Sequence, residues 1–227
     1  MNLKPIVIFI LISYQLYGQV AINSDKREKE IVEQCLAAMG GEEAWNNTKY
    51  IQWDFFGRRR LNWDKWNQEL TVESISGSPQ FKVWVNLTTK KGKAIIDNKW
   101  LTQPDSISFW MNKGYEYWVN DSYWLIMPFK LKDYGVQLKY LGFQKCSKMI
   151  DCEVLEVTFN QVGLTPENKY HVFFDLETHL VIEWSYFEKH SDLSPKMTTT
   201  WENYQKFGNI LLATKRGKYN LDNISVR

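Results

Sequence analysis

The spacing of apolar residues changes three times along the chain, and each change marks a change of element. Ile31, Cys35, Leu36 and Met39 fall on one face at helical spacing. Ser24 offers an N-cap, and Asp25 and Glu28 suit the positive end of the helix dipole. A helix is therefore predicted from residue 24 to Gly40-Gly41, which ends it. A brief second turn over residues 42–46 is expected to tuck Trp45 against the first helix. From Tyr50 the period becomes two. Residues 50–63 and 69–76 read as strands joined by a turn at Asp64-Lys65-Trp66-Asn67-Gln68. Phe81, Val83 and Val85 alternate with Lys82, Trp84 and Asn86 in the next strand, and residues 93–100 supply another.

After Pro104 the pattern is helical again. Phe109, Tyr117, Val119 and Tyr123-Trp124-Leu125-Ile126-Met127 give a dense apolar surface that Pro128 ends or kinks. Strands follow over residues 136–143, 153–159, 170–175, 180–187, 197–204 and 210–219, with tight turns at 175–179 and 207–209. This order defines an α+β fold. Sequential strands on short turns imply an antiparallel sheet, and about ten of them are expected to curl into an incomplete barrel covered by the helices. The strand at 180–187 is apolar on both faces, with Leu180, Ile182, Trp184 and Tyr186 on one and Val181 and Phe187 on the other. Helices packed on the concave face explain that pattern, and so does a lined cavity.

The first eighteen residues stand apart. Lys4 supplies a positive start, residues 6–12 an apolar core and Gly18-Gln19 a cleavage point, which together read as a secretory signal peptide. The apolar run is shorter than the ~20 residues that span a bilayer. Bulky Leu16, three residues before the cut, keeps an uncleaved anchor as the competing reading. No cysteine stands directly after the cut, the first being Cys35, so the lipid-anchoring arrangement of bacterial lipoproteins is absent. The expected product is one periplasmic or secreted domain over residues 19–227, long enough for a real core.

The 227 residues carry a formal charge of +2, which argues against nucleic acid as a partner. Arg58-Arg59-Arg60 reads as a solvated strand or hairpin edge. Eleven Trp, twelve Tyr and twelve Phe are an unusual aromatic load, suited to bulk packing or to the wall of an apolar cavity.

Candidate chemistry is sparse. Asp175, Glu177 and His179 have donor atoms at close spacing, but the same residues form turns, and the turn reading is favoured. His171 lies mid-strand and His190 in a polar loop. The sequence has no nucleophile elbow, glycine-rich phosphate loop or His-Glu-x-x-His helix. Paired carboxylates from distant strands would serve a glycosidase, a possibility generic to any chain with 26 acidic residues. No catalytic residue, metal or cofactor is assigned. Cys146 and Cys152 flank a hairpin loop, where they are either a disulfide or two thiols. Cys35 is expected to be a buried free thiol.

Several segments together resemble an uncharacterised family of secreted Gram-negative proteins: residues 39–45, 55–65, 120–130 and 175–180, of which Tyr123-Trp124-Leu125-Ile126-Met127-Pro128-Phe129-Lys130 is the most specific. That family in turn resembles the periplasmic lipoprotein carriers and outer-membrane lipoprotein receptors. The resemblance implies an incomplete antiparallel barrel of about eleven strands, closed by helices around a cavity that takes acyl chains, and it transfers no catalytic residues.

On that reading the chain is a monomeric carrier for a hydrophobic small molecule or lipid, with an outer-membrane or periplasmic protein as a further partner. Expected lining residues are Trp53, Phe55, Trp84, Trp110, Trp118, Tyr123, Trp124, Phe173 and Trp184, about half of which should prove to be ordinary core. A charged residue at Trp124 is expected to abolish lipid uptake, whereas Arg59→Ala, as a surface change, is not. The competing readings are a filled-barrel module for structure or protein interaction, and a hydrolase.

Overall fold

The computed structural model describes residues 26–227. The expected cap at Ser24 and the signal peptide at 1–18 lie outside the described residues. Helix α1 covers residues 26–38, α2 Gly41–Asn47 and α3 Pro104–Ile126, which runs into a 3-10 turn at Met127–Lys130. Fourteen strands follow the order β1 Tyr50–Phe55, β2 Arg59–Asp64, β3 Glu69–Ser74, β4 Phe81–Asn86, β5 Gly92–Ile96, β6 Lys99–Trp100, β7 Val136–Lys145, β8 Asp151–Phe159, β9 Lys169–Asp175, β10 Val181–Phe187, β11 Met197–Thr200, β12 Glu202–Phe207, β13 Ile210–Arg216 and β14 Tyr219–Val226.

They form two open antiparallel sheets. One has nine strands in the order β12-β13-β14-β1-β2-β3-β4-β5-β6, the other five in the order β11-β10-β9-β8-β7. The class is α+β as expected, but the described strands number fourteen and neither sheet closes on itself. The surplus comes from turns that the hydrophobic pattern hides. Phe56 and Gly57, both at positive φ, divide 50–63 into β1 and β2. Asp97 and Asn98 do the same to 93–100, using residue types that tolerate the left-handed region. Buried Trp201 divides 197–204, and there the chain leaves one sheet for the other. Strand β14, beyond the last predicted strand, inserts between β13 and β1.

The expected alternation fixes the inner face of the larger sheet. Leu61, Trp63, Leu70, Val72, Val83 and Val85 are buried while their sequence neighbours are not. Helix α3 lies across this face, and Gly114 allows the close approach. A Cβ there would come within 3.0 and 3.1 Å of the Val83 and Val85 side chains. Ile31, Cys35, Leu36 and Met39 of the α1 segment enter the same core, as their spacing predicts. Trp45, expected against the first helix, stacks on Phe129 at 4.4 Å and tilts against Trp63.

The two-faced strand β10 is explained by a bulge between Val181 and Glu183. Val181 and Trp184 belong to the main core, whereas Ile182 packs on a second cluster of Cys146, Cys152, Val154 and Phe173. Neither a helix nor a cavity is needed for that second face. The β7–β8 turn covers it, with Ser147 donating from its backbone N–H and hydroxyl to the Glu183 carboxylate.

Candidate functional site

A cleft of about 540 Å³ opens between the carboxyl half of α3 and one end of the five-stranded sheet. The strand ends place it. Val136 starts β7, Phe159 ends β8, Tyr170 lies near the start of β9, Tyr186 near the end of β10, and Met197 starts β11, all along one margin of the antiparallel sheet. Opposite them, α3 presents Tyr115, Trp118, Tyr123 and Trp124, and the 160–168 loop adds Val162 and Leu164.

The wall is a continuous aromatic assembly. Tyr123 stacks on Trp184 with ring centres 5.6 Å apart, and Trp124 meets Trp184 edge-on at 5.0 Å. Tyr170 lies 5.1 Å from Trp184 and 5.4 Å from Tyr186. Pairs in this range add to area burial through ring quadrupoles. Burial pushes the Tyr123 and Tyr170 phenols well above their ordinary range, so both are neutral at physiological pH. The indole N–H groups of Trp118 and Trp184 have no hydrogen-bond partner among the described residues. Among the described lining residues charge is confined to Lys130 and Asp133, which pair with each other at 2.7 Å.

Of the nine expected lining residues, Trp118, Tyr123, Trp124 and Trp184 line this cleft. Trp53 and Phe55 are buried in the main core. Trp84 faces away from α3 and stacks on Trp100 at 5.6 Å, and Trp110 packs on Phe81. Phe173 lies in the second cluster. Its placement is a phase error, because Tyr170, Val172 and Phe174 are the β9 residues that reach the main core. Reading β9 from Tyr170 in steps of two would have found Tyr170. Nothing local in the sequence marks the 160–168 loop as a wall.

Two ionic devices hold α3 in place. Arg59 donates to both oxygens of Asp121, Nε at 2.6 Å and its second nitrogen at 2.7 Å, with its guanidinium 4.1 Å from the centre of the Tyr117 ring. Asp121 is fully buried, and burial pushes its carboxyl above the ordinary range despite Arg59. Arg59 is thus an internal anchor, not the surface residue expected. Arg60 pairs in the same forked manner with Asp54 at 2.7 and 2.8 Å. At the end of α3, Arg216 is fully buried without a carboxylate among its bonded partners. It donates to the carbonyls of Trp124, Ala213 and Lys215 and lies 3.5 Å from the Trp201 ring centre. Trp124 carries one of the carbonyls that a helix leaves unbonded at its negative end, so the cation caps α3. Burial lowers its pKa to about 9, which leaves it charged at neutral pH.

Cys146 and Cys152 are free buried thiols in this structure, not the disulfide that was one of the two readings of their spacing. Burial, with Cys146 alongside, pushes the Cys152 thiol up to about 12, and burial does the same to Cys35. Among the described residues no His, Cys, Asp and Glu gather into a metal-holding group. Asp175 instead accepts from the Glu177 and Thr178 backbone N–H groups, as a turn former does. No described helix is long and apolar enough to cross a membrane.

No protein-family model matches the chain, and no curated protein matches its sequence. Among solved structures it is similar to a DUF1329 family protein from Desulfovibrio piger ATCC 29098, at 10% identity and a TM-score of 0.42, over 87% of this chain and 92% of that one. A likeness at this level carries no statement about activity.

Proposed function

We propose that the protein is a non-catalytic carrier or binding protein whose cleft takes an apolar ligand of the acyl-chain or lipid class. The observation that carries this reading is the cleft itself: about 540 Å³ walled by aromatic rings, with the Lys130 and Asp133 charges on its wall paired to each other. That volume lies within the ~300–1,000 Å³ usual for ligand sites. Each methylene moved from water into such a wall is worth about 0.8 kcal/mol, so a long chain binds tightly without directed bonds.

In this proposal the nine-stranded sheet with α3 across it is the incomplete barrel. The amino-terminal eighteen residues direct export, and the carrier works in the periplasm as the lipoprotein carriers do. The test is native mass spectrometry with lipid extraction on protein purified from the periplasm without detergent. Co-purified fatty acid, phospholipid or acylated peptide is expected. An empty protein that also refuses added fatty acid and lipopeptide would shift the reading to an interaction module. Trp124→Asp should abolish uptake in folded protein, whereas Trp100→Ala, on the opposite face of the larger sheet, should not.

A further inference from the structure

The margin of the five-stranded sheet that holds the cleft also carries the two most exposed large apolar residues among those described. Tyr134, in the turn before β7, is 94% exposed, and Leu193, in the β10–β11 loop, is 98% exposed. Leu164, in the β8–β9 loop, is 48% exposed, and Met197 at the start of β11 is also open to solvent. Antiparallel pairing puts all four at one end of the sheet, although they come from separate segments. Three of them, Tyr134, Leu164 and Met197, line the cleft.

The tip that carries Leu193 is tied down. Lys169 Nζ donates to the carbonyls of His190 and Asp192 at 2.8 and 2.9 Å, pinning the loop that carries Leu193. The charges at this end balance in sum: Lys130 pairs with Asp133 and Lys196 with Glu188, and Lys169 and Lys189 offset Glu167 and Asp192. Apolar side chains thus project among balanced charges around the opening of an apolar cleft. Isolated exposed leucines need no explanation, but several converging on one margin do.

We propose that this end of the molecule docks on the interfacial layer of a lipid bilayer, with Tyr134, Leu164, Leu193 and Met197 entering the headgroup region. The proposal rests on the reading of the cleft as an apolar-ligand site, because docking there lets a ligand pass between bilayer and cleft without crossing water. The lack of local net charge points to adsorption driven by apolar burial, so zwitterionic lipid suffices.

The test is flotation of the full-length mature protein with phosphatidylcholine vesicles, run beside lipid extraction of the same preparation. Leu193 is outside the cleft wall, so Leu193→Asp should leave co-purified lipid and thermal melting unchanged. It should lower the vesicle partition coefficient by about tenfold or more, the worth of one buried leucine. Tyr134→Asp combined with Leu193→Asp should remove binding. Failure of the wild type to float, or equal flotation of the variants, overturns the docking whatever the cleft contains. Flotation of a protein that carries and accepts no lipid keeps the docking and overturns the ligand reading. A wild-type dimer that Leu193→Asp dissolves, with no vesicle binding, assigns the end to a second copy of the chain and overturns the proposal.

Discussion

Removing the Arg59 side chain strands a charge in the core. Asp121 is fully buried, and both of its oxygens are taken by the one guanidinium, with Asn120 adding a bond at 2.9 Å. Breaking a buried pair from one side costs about 3–5 kcal/mol. At the 2–4 °C per kcal/mol usual for a chain of this size, that lowers the melting midpoint by roughly 6–20 °C. The deficit has a pH signature. Burial already holds the folded-state pKa of Asp121 above its unfolded value, so the folded protein binds this proton more tightly than the unfolded chain does. Its contribution is therefore most favourable below the unfolded pKa of about 4, and it declines as pH rises toward the folded pKa. Arg59→Ala pushes that pKa further up. The gap between wild type and variant should be small near pH 4 and widen toward pH 7.5. Urea unfolding of both proteins at the two pH values measures it. Arg59→Leu with Asp121→Leu, which removes both charges, should recover most of the loss. A single variant that melts with the wild type at neutral pH, or a deficit that ignores pH, would refute the buried-anchor reading.

Arg216→Met should destabilise by about 3 kcal/mol or more, because it leaves carbonyls at the end of α3 unpaired, and Arg216→Lys should rescue little since an ammonium cannot span the same acceptors; thermal unfolding decides. Gly40 is at φ 110°, and a Cβ there would lie 2.3 Å from the Asn209 carbonyl oxygen, so Gly40→Ala should cost about 1–3 kcal/mol in chemical denaturation. The three cysteines should resist alkylation in the native protein at pH 8 and react fully in denaturant, with intact mass reporting the adducts; rapid native labelling would contradict their burial.

The parts of the fold that could be read from sequence are those where local chemistry and tertiary need agree. The spacing of Ile31, Cys35, Leu36 and Met39, the helix from Pro104 and the turn at Asp175 need no distant information. The hidden turns at Phe56-Gly57 and Trp201 depend on which strand each segment pairs with, and hydrophobic period does not encode pairing. The cleft divides the same way. Trp118, Tyr123 and Trp124 could be read as bulky aromatics of the helix that follows Pro104, an element whose existence is local. Phe173 failed because two adjacent phenylalanines fit either phase of a strand. Arg59 failed because a run of three arginines looks solvated until Asp121, 62 positions later, is brought beneath it.

Strand β14 carries the last described residues, yet in the larger sheet it is an inner strand, flanked by β13 and β1. Ile51 sits opposite Val226, and the backbone N–H groups of Lys49 and Tyr50 both donate to the Arg227 carbonyl at 2.8 Å. The sheet therefore cannot be laid down in the order of synthesis. The β1–β6 block must wait with an open edge until β14 arrives, a long loop closure that slows folding. Cutting away those few terminal residues would split the sheet in its interior and leave two unpaired edges facing each other.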